Sequence, residues 1–130
     1  MAAVKGILVN DGGAPARIIN FLAGEAISAG EVLKSSTAAN MTALLATDDE
    51  HPVIGVALAD AASGDLVSVV SGRGVVLYIL CTDETAGINL MVDGTAGQLD
   101  EWSNSTASNK IVAVTLENNA AAGLTKCMLL

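Results

Sequence analysis

HPVIGVALADAASGDLVSVV, residues 51–70, decides the fold. Val53, Ile54, Val56 and Leu58 form an apolar run interrupted by Gly55. Ala61-Ala62-Ser63-Gly64-Asp65 is turn chemistry. Leu66, Val67, Val69 and Val70 carry the chain back. Two β-branched runs separated by Gly, Ser and Asp read as a hairpin of two strands. Upstream, GEAISAGEVL at residues 24–33 reads as strand and turn, with Ser28-Ala29-Gly30-Glu31 as the turn. A polar spacer joins the two stretches. Residues 75–80, VVLYIL, form a further strand whose unbroken apolar character predicts burial on both faces.

Working outward, residues 17–22 read as a short strand, and residues 41–46 as a strand or a single helical turn. Residues 82–88 are a loop or short helix. Residues 89–92, 110–116 and 124–130 are strand-like, and residues 101–109 are polar. A weak internal repeat runs through these segments. Ala96-Gly97-Gln98-Leu99 echoes Ala29-Gly30-Glu31-Val32, and residues 111–116 (IVAVTL) echo residues 53–58 (VIGVAL). Two such copies would make one pseudo-symmetric barrel. Chance similarity between Gly- and Val-rich strands is the competing reading.

Composition fits this all-β reading. The chain has 130 residues, enough for one domain. It is 52% hydrophobic, yet Phe21, Tyr78 and Trp102 are its only aromatic residues, so the core must be built from Val, Ile, Leu and Ala. The net charge of −8 disfavours a nucleic-acid backbone, which needs clustered Lys and Arg. Charge is uneven: residues 1–20 carry Lys5 and Arg17 against Asp11, while the remainder is strongly acidic. The longest apolar run, residues 75–81, is too short to span a bilayer as a helix. No charged n-region with a long apolar core opens the chain.

Catalytic groupings are scarce. His51, the sole histidine, sits in a polar loop with no spacing that links it to Cys81, Cys127 or paired carboxylates. Asp48-Asp49-Glu50 lacks the glycine and alternating oxygen ligands of a calcium loop. Gly72-Arg73-Gly74 precedes a strand and so cannot open a phosphate-binding helix. Cys81 and Cys127 lie in strand-like runs as buried thiols, with a disulfide left open. Trp102 has three readings: a sugar platform, an interface anchor or a cover for a barrel end. These observations predict no catalytic residues, no metal, no cofactor and no enzyme activity.

The segments Ala29-Gly30-Glu31, Pro52-Val53-Ile54-Gly55-Val56-Ala57-Leu58 and Ala62-Ser63-Gly64-Asp65-Leu66-Val67-Ser68-Val69 resemble the capsid decoration, or cement, proteins of tailed bacteriophages, of the lambda-head-decoration-like group. The match covers about a third of the chain. β-clip domains of the SAF type share the Ala-Gly-Glu opening. The resemblance implies a small Gly-rich β-barrel, β-tulip or β-clip-like, spanning residues 21–130 as a single domain, with an extended N-terminal arm at residues 1–20. It implies a structural virion protein, made in the host cytoplasm, that sits on the outer capsid surface and bridges subunits of the major capsid protein. It also implies a homo-oligomer, with a trimer favoured, and no membrane or nucleic-acid partner. The arm residues placed for capsid contact are Lys5, Ile7, Leu8, Val9 and Arg17, with Ile7-Leu8-Val9 suited to adding to a strand edge. The alternative is a β-clip ligand-binding or enzyme-associated domain in which residues 24–33 line a pocket.

Overall fold

The computed structural model describes residues 16–47, 53–82, 85–92, 95–101, 111–119 and 121–130. Among them every regular element is a strand. The first five strands are β1 (Arg17–Ala23), β2 (Val32–Ser35), β3 (Thr42–Leu45), β4 (Val53–Ala57) and β5 (Leu66–Ser71). The second five are β6 (Val76–Cys81), β7 (Asn89–Val92), β8 (Leu99–Glu101), β9 (Ala113–Thr115) and β10 (Gly123–Leu129). Residues 41–46 therefore resolve to a strand rather than a helical turn.

The strands close into two barrels, β1-β3-β2-β4-β5 and β10-β6-β8-β7-β9. The second order is the first repeated, with β6 in the place of β1 and β10 in that of β5. Each barrel closes through one parallel contact, β1 with β3 and β6 with β8, and every other pair is antiparallel. The internal repeat thus takes the form of two five-stranded barrels in place of one pseudo-symmetric barrel. The first barrel's core sets Leu33 and Ile27 among smaller residues, Ala23, Ala43, Ala57, Val67 and Val69.

The repeat also runs in a different register from the one read in the sequence. Strand β9 does take the place of β4, as residues 111–116 suggested. The counterpart of Ala29-Gly30-Glu31-Val32, which leads into β2, is Ala86-Gly87-Ile88-Asn89, which leads into β7. Ala96-Gly97 leads instead into β8, the counterpart of β3. Two Ala-Gly pairs lie close together in the second half, and sequence similarity alone selected the wrong one.

Burial explains the long apolar runs. Neighbouring residues on β2, β4 and β5 face opposite sides, as successive strand residues must. Leu33, Ala57 and Val69 fill the first barrel, while Val32, Val56 and Val70 join the core that continues into the second. These strands are therefore buried on two faces. Strand β6, expected to be so, alternates instead: Leu77, Ile79 and Cys81 are buried, and Val76, Tyr78 and Leu80 are half-buried. On the outer side Lys126, the register partner of Tyr78, holds its Nζ 5.9 Å from the ring centroid.

Gly55 is required where β4 is pinched between neighbours. Its φ is +152°, and an added Cβ would fall 2.5 Å from the Val70 carbonyl oxygen. The β2–β4 register also shifts at Leu33/Lys34, opposite this point. Gly55→Ala is expected to destabilise the protein by roughly 2–5 kcal/mol, combining backbone strain with overpacking. Urea unfolding of the two proteins would measure it, and an unchanged midpoint would contradict this role.

Candidate contact surface

The residues placed for capsid contact fall into two groups. Lys5, Ile7, Leu8 and Val9 lie outside the described residues, as do His51, Asp48, Asp49, Glu50 and Trp102. Arg17 is the first residue of β1 and pairs with Ser71 of β5. Residues 17–20, assigned to the arm, thus belong to the wall of the first barrel. Their partner strand is more than forty residues away and their side chains are exposed, so nothing local in the sequence marks them as paired.

Strand β1 presents Ile18, Ile19 and Leu22 to solvent. Leu22 is the register partner of Leu66, and its N–H donates to the Met41 carbonyl at 2.8 Å. Leu22, Met41 and Leu66 are 44%, 56% and 64% exposed. An apolar shelf of this kind on a barrel's outer wall costs solubility and signals contact when it is contiguous. The sequence hinted at it only weakly, because Leu22 and Leu66 read as ordinary core residues of alternating strands.

The second barrel has the same shelf, and there it is used in part: Leu80 is half-buried, while Leu124 stays 47% exposed. Leu80 and Leu124 are register partners and stand where Leu22 and Leu66 do. The Gly30 turn of the first barrel is seated on them. The Leu80 N–H donates to the Gly30 carbonyl at 2.9 Å, and a Cβ on Gly30 would fall 2.3 Å from Leu124 Cδ2. The contact continues through the backbone. The Val32 N–H donates to the Gly97 carbonyl (3.0 Å), the Gly97 N–H to that of Ala46 (2.9 Å), and the Ala46 N–H to that of Val32 (2.9 Å). Only glycine serves at position 30, because φ is +91° and there is no room for a side chain.

The Gly30 turn itself is built twice. In the first barrel the Gly30 N–H donates to the Ala57 carbonyl, the Ala57 N–H to that of Glu31, and the Ala29 N–H to Asp60 Oδ1. In the second, the Gly87 N–H donates to the Thr115 carbonyl, the Thr115 N–H to that of Ile88, and the Ala86 N–H to Asn118 Oδ1. Gly87 has φ +83°, but no atom lies within 4 Å of where its Cβ would stand. This second turn carries an extra brace. Buried Thr115 donates its hydroxyl to the Thr85 carbonyl at 2.6 Å and accepts the Ile88 N–H at 2.9 Å.

No group of three or more His, Cys, Asp or Glu is arranged to hold a metal among the described residues. Cys81 and Cys127 meet inside the second barrel with their sulfurs 4.0 Å apart, a contact between buried thiols that are not disulfide-bonded. Each thiol donates to the carbonyl two residues before it, from Cys81 to Ile79 and from Cys127 to Thr125, both at 3.3 Å. No helix among the described residues is long and apolar enough to cross a membrane.

Neither a protein-family model nor a curated protein sequence matches the chain. The fold does have a solved counterpart. The chain is similar to the N base of the head fiber protein gp8.5 of bacteriophage phi29, with a TM-score of 0.70 and 17% identity, over 89% of this chain and 95% of that one. The architecture is therefore shared across nearly the whole of both molecules, at an identity that speaks for the fold alone.

The Thr115 brace yields a prediction. Thr115→Val keeps shape but strands the Ile88 N–H and the Thr85 carbonyl. A buried unsatisfied group costs about 1–3 kcal/mol, so the urea midpoint should fall accordingly. Val at position 115 with unchanged stability would show that the brace contributes nothing.

Proposed function

We propose that this chain is a structural component of a tailed-phage virion that attaches to the outer surface of the assembled head and stabilises it by bridging subunits of the major capsid protein. The observation that carries this reading is the shared architecture with the phi29 head fiber base over nearly the full length of both chains. The sequence resemblance to capsid decoration proteins, which rests on residues in and around the first barrel, points the same way independently of that similarity.

The physical mechanism is contact area in place of a reacting group. A small rigid double barrel with an apolar outer shelf gains affinity by presenting many weak contacts at once. Oligomerisation, with a trimer favoured, multiplies them: linking copies turns each further contact into an intramolecular one. In this reading the arm adds a strand to a capsid subunit through Ile7, Leu8 and Val9, with Lys5 and Arg17 supplying local positive charge on an acidic body. The protein is made in the host cytoplasm and joins the shell there. No catalytic step is assigned to His51, Cys81 or Cys127.

Melting of undecorated shells with and without the protein tests this. A ligand that binds only the intact shell raises its melting temperature by mass action. The wild type and His51→Ala should both raise it, and deletion of residues 1–13 should abolish the rise while leaving the barrels folded. No rise with the wild type would overturn the proposal. Loss of the rise on His51→Ala alone would favour a site-based function.

A further inference from the structure

The two repeats are alike in what they present, but only one of the two resulting contacts is made. Each repeat offers a turn, around Gly30 or Gly87, and a shelf, Leu22–Leu66 or Leu80–Leu124. Inside the chain the Gly30 turn occupies the Leu80–Leu124 shelf. The Gly87 turn and the Leu22–Leu66 shelf are left over, both exposed. We propose that a second copy of this chain docks its Gly87 turn on the Leu22–Leu66 shelf, reproducing between molecules the contact that joins the two barrels within one. This deepens the oligomer element of the function proposed above and rests on it, while requiring no capsid.

Three observations identify the occupant as a copy of the same chain. First, the turn is prepared. Gly87 holds the same left-handed conformation as Gly30, with the same backbone and side-chain hydrogen bonds. Second, the side chains that would meet are matched. In the contact already made, the position of a Cβ on Gly97 lies 3.1 Å from Glu31 Cβ. By strand register, with Ala43 opposite Ala23 and Leu99 opposite Cys81, the counterpart of Gly97 is Met41, and the counterpart of Glu31 is Ile88. The unused contact would therefore bring Met41 towards Ile88, an apolar pair in place of glycine and glutamate, and it must stand wider than the used one, where a Cβ on Gly97 would be only 3.1 Å from both Glu31 Cβ and Leu45 Cδ2. Third, Met41 is the sole non-glycine residue with positive φ among the described residues, at 48°. It takes the Leu22 N–H on its own carbonyl, whereas the Leu80 N–H goes to the Gly30 carbonyl. Docking would pass the Leu22 N–H to the incoming Gly87 carbonyl, and Met41, like Gly97 in the contact already made, would keep its left-handed φ.

The contact joins two different surfaces, so it is head-to-tail. Such an interface builds a ring if its rotation closes, as in a cyclic trimer, and an open chain of copies if it does not.

Sedimentation of the purified protein across micromolar to millimolar concentrations tests the proposal, with two single variants. Leu66→Glu disables the shelf at a side chain that is mostly exposed. Gly87→Asn disables the turn, since asparagine tolerates a left-handed φ in open space but puts atoms where Leu66 must sit. The wild type should assemble with rising concentration, and each variant should weaken assembly at least about tenfold in dissociation constant. Mixed together, the variants should recover a dimer and nothing larger, because one copy keeps a good turn and the other a good shelf. Leu22→Glu and Ala86→Arg provide a second pair if either variant fails to fold by circular dichroism. A wild type that stays monomeric, assembly that ignores the variants, or a mixture that stays monomeric would each overturn the inference. Because no shell is present, failure here is distinct from failure to stabilise capsids.

Discussion

The structure depends on the seating of one turn. Where the chain passes from β1 to β2, residues 30–32 stay bonded to β4 and also bond with the second barrel. The Gly30 carbonyl takes the Leu80 N–H, and Val32 reaches Gly97. Ladder hydrogen bonds that would have closed the β6–β8 seam are replaced by bonds to the other barrel, and β6 and β8 retain a single register pair, Cys81 with Leu99. A backbone carbonyl and N–H group removed from water must find partners. Here they find them across the barrel boundary, so the two barrels are joined by main chain as well as by the fully buried side chains of Val32, Val56 and Val70.

That constraint decides which residues are fixed by packing and which are left for contact. The double-sided burial of β2, β4 and β5 takes up most of the β-branched residues of the first barrel. Strand β1 keeps Ile18, Ile19 and Leu22 outside. A domain whose core is made of Val, Ala and Leu, with three aromatics in the chain, has little to offer a small ligand by stacking, but it presents a firm surface. The proposed attachment to a phage head and the proposed contact between copies both draw on that surface.

Much of the fold was legible in the sequence, for physical reasons that can be named. Residues 53–58 and 66–70 read correctly as paired strands because β-branched runs and an Ala-Ser-Gly-Asp turn are local signals. The repeat was visible through β4 and β9 because both strands sit at the same buried place. The number of barrels was not legible. Closure rests on parallel β1–β3 and β6–β8 pairs, and parallel pairing leaves no turn signature between its partners. Strand β8 is three residues long and carries Asp100 and Glu101, so it read as part of a polar segment. The shelf is not legible because an exposed Leu and a buried Leu are the same letter, and what separates Leu22 from Leu33 is that Leu33 faces into the first barrel and Leu22 faces out of it. Of the residues expected to contact a capsid, Arg17 stands exposed on β1, and Lys5, Ile7, Leu8 and Val9 lie outside the described residues.

The two barrels form one body through the Gly30 turn. Native-state hydrogen exchange measures this most directly, because amides that open only by global unfolding share one free energy. The Leu80, Val32, Ala46 and Gly97 amides cross or flank the boundary, and Ile79 and Val69 lie within the barrels. All six should exchange with the same free energy and respond alike to low denaturant. Fast exchange at Leu80, Val32 and Gly97, with Ile79 and Val69 still protected, would mean two barrels that part and rejoin, and would contradict the single body.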